Sequence, residues 1–158
     1  MKFGQLLIGL LLGGMLGFGL TNYFIKPTTV DSSSSSAKWT WPDSLDAVKA
    51  APENHKVVYE DSAVRILQVL LDGHKAEPIH THKWKSIMWV AKPAVPCTIY
   101  QYNLNKDGKF AATDSVTVPR MDTNIGQAID AEGPTGIKNL GNENGIAYRV
   151  EFKKDFKP

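Results

Sequence analysis

Short apolar runs separated by turn residues dominate the chain from residue 56 onward. The last run is the clearest, because Ile146, Tyr148, Val150 and Phe152 alternate with polar or small residues. A period of two is typical of a strand with one buried face, and we expect these four side chains on that face. Earlier runs of the same kind predict further strands at residues 56–60, 63–71, 86–91, 97–103, 109–118 and 125–131.

Helical periodicity is absent from the sequence after Pro52. A short helix is predicted before it, over residues 43–51, with Asp43 or Ser44 as its N-cap. Residues 105–108, Asn-Lys-Asp-Gly, predict a hairpin turn. Many short strands joined by turns predict an all-β fold, an antiparallel sandwich or barrel.

The N-terminal segment has a different pattern. Lys2 precedes an apolar run over residues 3–25 that carries no charge. About twenty apolar residues match the thickness of a bilayer, which predicts a signal-anchor transmembrane helix over residues 1–26. A cleaved signal peptide is the alternative. The anchor implies a single-pass bacterial membrane protein, with its folded domain on the periplasmic or outer face.

A serine-rich stretch follows the apolar run. Residues 27–42 include five consecutive serines, Ser32–Ser36, and such a composition predicts a flexible linker. The folded domain is therefore expected over residues 43–158.

Composition and charge exclude several functions. The chain has 18 Lys+Arg and 16 Asp+Glu, a formal charge of +2, and the basic residues are interleaved with acids. This pattern argues against a nucleic-acid partner. A single cysteine, Cys97, excludes an intrachain disulfide. No phosphate-binding glycine loop or serine nucleophile motif occurs.

Two histidines are the strongest candidates for chemistry. His80 and His82 lie two residues apart on a predicted strand, so both imidazoles project from one face. A metal centre needs further ligands, and Asp130 and Glu132 are the candidate carboxylates. Two histidines and one carboxylate form a known ligand set for non-haem iron.

Two other interpretations of the pair stay open. The imidazoles could line a polar pocket without a metal, or a shift of one residue could turn them outward. His55 and His74 lie in predicted turns, and we expect both at the surface.

The residues around the pair resemble a family. The runs 59–67 and 78–82, with Gly73 between them, resemble the first half of a small single-domain cupin, and residues 138–143 resemble the end of the second cupin motif. The similarity extends over residues 43–154. It implies a cupin-like double-stranded β-helix, or jelly-roll barrel, and a metal site of three histidines and one glutamate that takes iron, manganese, nickel or zinc.

The chain departs from the cupin pattern at the other ligands. Ser86 or Ile87 occupies the glutamate position, and Thr135 or Ile137 occupies that of the third histidine. No histidine follows His82, so the family's full ligand set cannot form. The residues expected to line the remaining pocket are Ser86, Met88, Tyr100, Thr135 and Tyr148.

The expected function is a membrane-anchored cupin-like domain that binds an unidentified small ligand or a protein partner. No catalytic residue is assigned, and enzyme activity is not expected. The alternative is a metal-dependent enzyme of the dioxygenase or isomerase type, with Fe, Mn, Ni or Zn held by His80, His82 and a carboxylate. The resemblance to cupins also implies a homodimer.

Overall fold

Residues 39–154 are the part of the chain described by this computed structural model, and they consist mainly of short strands. A 3-10 turn, Asp43–Leu45, and a one-turn helix, α1, Ala47–Ala50, come first. The strands are β1 His55–Glu60, β2 Val64–Leu71, β3 His80–His82, β4 Ser86–Lys92, β5 Cys97–Leu104, β6 Phe110–Val118, β7 Gln127–Ile129, β8 Glu132–Asn139 and β9 Gly145–Phe152.

The strands form two antiparallel sheets. The first has the order β1-β2-β9-β4-β7 and the second has the order β3-β8-β5-β6. From β2 onward the chain passes repeatedly from one sheet to the other, so that β9 lies between β2 and β4 and β8 lies between β3 and β5. This is the strand order of a jelly roll, the architecture of cupins. The predicted cupin-like fold is confirmed.

Each predicted strand corresponds to an observed one, with ends that agree within two residues. The hairpin at residues 105–108 is also confirmed, because Asn105 Oδ1 accepts from the backbone N–H groups of Asp107 and Lys109. The predicted helix over residues 43–51 is divided in two. Asp46, rather than Asp43 or Ser44, caps α1 by accepting from Val48 N at 3.1 Å.

The two faces of β9 are the reverse of those predicted. Arg149 and Glu151 are buried, whereas Ile146, Tyr148 and Val150 are partly exposed. The register agrees, because Glu151 lies opposite the buried Arg65 on β2 and the buried Ser86 on β4. The interior of the jelly roll therefore contains charged side chains along this strand.

The predicted membrane location requires a correction. Within residues 39–154, no helical element has the length and apolar character of a membrane span. The longest helix in this range, α1, has 4 residues, whereas a span needs about 20. A single-pass membrane location is therefore wrong for the described part of the chain. The predicted span over residues 1–26 and most of the predicted linker over residues 27–42 lie outside the described residues.

Candidate metal centre

Three imidazoles meet inside the jelly roll. His55 begins β1, and His80 and His82 are the two ends of β3. Each has only 2% of its surface exposed. One ring nitrogen from each lies within 4.8 Å of the others, and the ring centroids are 4.5 to 5.2 Å apart. We call these three residues the histidine trio.

Short backbone elements hold the trio in place. The N–H of His55 donates to the Ala51 carbonyl at 3.0 Å, which joins the start of β1 to the end of α1. On β3, Thr81 Oγ1 donates to the Leu45 carbonyl at 3.1 Å. Because alternate side chains of a strand point to opposite faces, this contact keeps His80 and His82 together on the interior face.

The Nδ1 atoms of the β3 histidines are both engaged. His80 Nδ1 lies 2.9 Å from the Pro78 carbonyl oxygen, and His82 Nδ1 lies 2.7 Å from Glu151 Oε1. Both oxygens only accept here, so each Nδ1 carries the proton and each Nε2 keeps a lone pair. His55 Nδ1 is buried and has no hydrogen-bond partner among the described residues. His80 and His82 thus have the tautomer that metal-binding histidines use.

A buried chain of charges supports His82. Glu151, which is fully buried, accepts from Arg65 Nε at 2.6 Å through its second oxygen. The two terminal nitrogens of Arg65 donate to the two carboxylate oxygens of Asp46, each at 2.9 Å. All three nitrogens of the Arg65 guanidinium therefore donate to carboxylates, and Glu151 is fixed against the imidazole of His82.

The pKa of each imidazole in the trio lies below its usual value. Burial is the main cause for all three, and it lowers the pKa of His55 to about 2, with further contributions from His80 and His82. Burial also lowers the pKa of His80. It lowers the pKa of His82 well below its usual value, and the positive charge of Arg149 contributes to that shift. The three imidazoles are therefore neutral near pH 7, the form that binds metal ions.

These shifts predict the pH dependence of the metal-free protein. A histidine with a lowered pKa contributes stability that is present above about pH 6.5 and is lost as the pH falls. Glu77 acts in the opposite sense, because burial raises its pKa to about 8. Its contribution is complete below about pH 4.5 and is lost as the pH rises through 8. We expect maximal stability near pH 6.5. Below that pH, the stability lost at the three histidines exceeds the stability gained at Glu77, and above it the loss at Glu77 continues.

Urea unfolding with a chelator present, at pH 5, 6.5 and 8, tests this dependence. Each histidine that takes up a proton on unfolding contributes up to about 1.4 kcal/mol per pH unit below pH 6.5. A free energy of unfolding that stays constant from pH 6.5 to 5 would contradict the assignment of neutral buried imidazoles. One that rises from pH 6.5 to 8 would contradict the raised pKa of Glu77.

The candidate carboxylates lie in different places. Asp130 is exposed and its nearest partner is Lys85, at 3.4 Å, so the structure does not bring it to the trio. Glu132 lies opposite His82 in the β3–β8 register, and it accepts a hydrogen bond from Arg149 Nη1. The third member of the cluster is therefore His55 rather than either predicted carboxylate.

The candidate pocket residues are also dispersed. Thr135 is buried opposite His80, and its hydroxyl donates to the Tyr100 carbonyl at 2.9 Å. Ser86 is buried opposite Glu151. Met88 lines a separate apolar cavity. The Tyr100 ring packs near Tyr102, and Tyr148 accepts from Gln68 at 3.1 Å.

His55, predicted to lie at the surface, is buried, whereas His74 is exposed as predicted. The strand that contains His55 was expected to begin one residue later, at Lys56. Alternation gives no signal for His55, because it is the single buried residue of β1 and Val57, two residues on, is exposed. Its interior position follows only from the pairing of β1 with β2, where His55 lies opposite Val69.

Solved cupin structures are similar to the chain at low identity. A cupin domain from Bordetella pertussis is 12% identical over 63% of this chain and 92% of its own, with a TM-score of 0.49. An RmlC-like cupin family protein from Methanocaldococcus jannaschii is 10% identical over 62% and 77%, with a TM-score of 0.41. A cupin superfamily protein from Desulfitobacterium hafniense is 7% identical over 63% and 76%, with a TM-score of 0.39. No protein-family model matches the chain, and no curated protein matches its sequence.

Proposed function

We propose that this cupin-fold domain binds one divalent transition-metal ion through His55, His80 and His82 and presents it to a small ligand. The observation that carries the proposal is the histidine trio itself, three buried imidazoles with one ring nitrogen each within 4.8 Å of the others. The tautomers of His80 and His82 and the unpartnered Nδ1 of His55 fit the same role.

The donor set selects among metals. Three neutral nitrogen ligands suit Zn²⁺, Ni²⁺, Cu²⁺ and Fe²⁺ better than Mg²⁺, Ca²⁺ or Mn²⁺, which favour oxygen. Three histidines with one remaining position is an arrangement that zinc adopts in proteins that act on small ligands. A bound ion of this kind supplies Lewis acidity and lowers the pKa of a coordinated water. We therefore propose zinc as the first metal to test.

The surrounding residues hold the imidazoles. Glu151 orients His82 through Nδ1, and the Pro78 carbonyl does the same for His80. Arg65 holds Glu151 in turn. Residues that act through a metal ligand in this way typically change metal affinity by about 10- to 100-fold when removed. Glu151 and Arg65 are thus positioning residues.

Binding is a better supported function than catalysis. The two carboxylates beside the trio, Glu132 and Glu151, both form ion pairs with arginines. Neither is free to take a proton from a substrate, as the dioxygenase or isomerase alternative would require of a general base. We propose that the fourth metal position receives a small ligand.

Calorimetric titration of Zn²⁺ into the chelator-treated full-length protein tests the proposal. We expect one site per chain in the wild type and at least about 100-fold weaker binding in His55→Gln, which lacks one ligand. The matched control is His74→Gln. His74 is exposed and is not a member of the trio, and its Nε2 lies 2.6 Å from Asn142 Oδ1. Equal affinities for the wild type and His55→Gln, or no zinc uptake by the wild type, would refute the proposal.

A further inference from the structure

Arg149 has buried donors without partners. Its side chain is only 4% exposed, and Nη1 donates to Glu132. Nε and Nη2 are both buried, and neither finds an acceptor in residues 39–154. The nearest carboxylate oxygen to Nε belongs to Glu151 and lies 3.9 Å away, beyond hydrogen-bond distance. Buried guanidinium donors are normally satisfied, so this pair marks a place for an acceptor.

Along β9, Arg149 lies between the trio and an apolar cavity. On the side of the trio, Glu151 is the next residue on the same face and contacts His82 at 2.7 Å, and Glu132, the acceptor of Arg149 Nη1, lies opposite His82 on β8. Met88 is the partner of Arg149 across the β4–β9 pair, and Ala147 precedes Arg149 on the same face of β9. Met88 and Ala147 both line a cavity of about 60 Å³ that is partly open to solvent. The other lining residues include Val69, Leu71, Val90 and Ile137.

We propose that Arg149 is the residue that recognises the ligand, and that the ligand is a short-chain monocarboxylate. Its carboxylate would accept from Nε and Nη2 of Arg149 beside the metal held by the trio, and its apolar chain would lie in the cavity. This inference rests on the proposed function, because the metal position is part of the same site.

The chemistry of a guanidinium favours a carboxylate over a neutral ligand. The planar group presents parallel N–H donors that match the two oxygens of a carboxylate. The charges also favour an anion. Arg65, Arg149 and a divalent ion would together carry four positive charges, whereas their partners Asp46, Glu132 and Glu151 carry three negative ones. A neutral amide of the same shape offers one oxygen and no charge, and would leave a buried donor unpaired.

The size of the cavity limits the chain of the acid. One water occupies roughly 10–15 Å³ by this measure, so 60 Å³ holds about four to six groups of that size. Acids of about three to five carbons therefore fit. Each methylene that enters an apolar cavity contributes to affinity, so butyrate should bind more tightly than acetate.

The test is calorimetric titration of butyrate into the zinc-loaded full-length protein, with butyramide as the uncharged probe. We expect butyrate to bind and butyramide not to bind. In Arg149→Lys, butyrate affinity should fall by at least about tenfold, because one point charge replaces the planar pair of donors. The control is Lys106→Gln, which changes an exposed basic residue in the hairpin turn at residues 105–108, and butyrate affinity should there stay within about threefold.

The possible outcomes distinguish failure of the ligand proposal from failure of the proposed metal site. Zinc uptake without butyrate binding, or equal butyrate affinity in Arg149→Lys and wild type, would overturn the inference and leave metal binding intact. Butyrate binding that Arg149→Lys abolishes, in a protein that takes up no zinc, would support the role of Arg149 and overturn the metal site. If Arg149→Lys does not fold, a crystal structure of the wild type with butyrate decides, because the carboxylate must lie within 3.5 Å of Nε or Nη2.

Discussion

Replacing Glu151 with Ala will lower the free energy of unfolding by about 3–5 kcal/mol. Glu151 is fully buried and accepts from both Arg65 Nε and His82 Nδ1. Its removal leaves a buried guanidinium with only Asp46 as its partner and a buried imidazole N–H with none. An uncompensated buried charge is much more costly than the loss of the ion pair as such. Urea unfolding of the chelator-treated protein measures the effect without a contribution from bound metal.

The matched control is Glu143→Ala. Glu143 also forms an ion pair, with Lys92 at 2.9 Å, but its side chain is 73% exposed. Exposed pairs contribute about 0–1 kcal/mol, so this variant should unfold almost as the wild type does. If Glu151→Ala also unfolds within about 1 kcal/mol of the wild type, the buried chain from Asp46 to His82 does not support the fold.

We expect loss of any member of the trio to remove the proposed metal ion. A site with three protein ligands keeps only two when one imidazole is removed. Two histidines are fewer than the three protein ligands that a tetrahedral site with one open position uses. We expect His55→Gln to purify essentially free of transition metal, although His80 and His82 are intact. His55 is the informative position, because the resemblance to cupins does not assign it a role. Elemental analysis of the purified variant measures the effect.

Much of the fold could be predicted from alternation and turns. Every predicted strand is present, because short alternating runs between turn residues mark extended segments even in a single sequence. Strand β8, Glu132–Asn139, was not predicted. It contains Gly133, Pro134 and Gly136, which weaken any strand pattern, and it is held by pairing with β3 on one side and β5 on the other. Such pairing is a property of the assembled sheet.

The candidate site could be predicted only in part. His80 and His82 share a short strand, so their spacing alone brings them together. His55 precedes them by more than twenty residues and reaches them only through the order of the first sheet. The faces of β9 were reversed for a related reason. Alternation shows that two faces differ, and Arg149 and Glu151 are interior because Glu132, Arg65 and His82 meet them there.

Metal content of the full-length protein, purified without added metal or chelator, tests the histidine trio most directly. The wild type, His55→Gln and the exposed control His74→Gln should be expressed and purified in the same way before elemental analysis. We predict about one transition-metal ion per chain in the wild type and in His74→Gln, and less than about one tenth of that in His55→Gln. A metal-free wild type, or a full complement of metal in His55→Gln, would contradict the assignment of a metal centre to His55, His80 and His82.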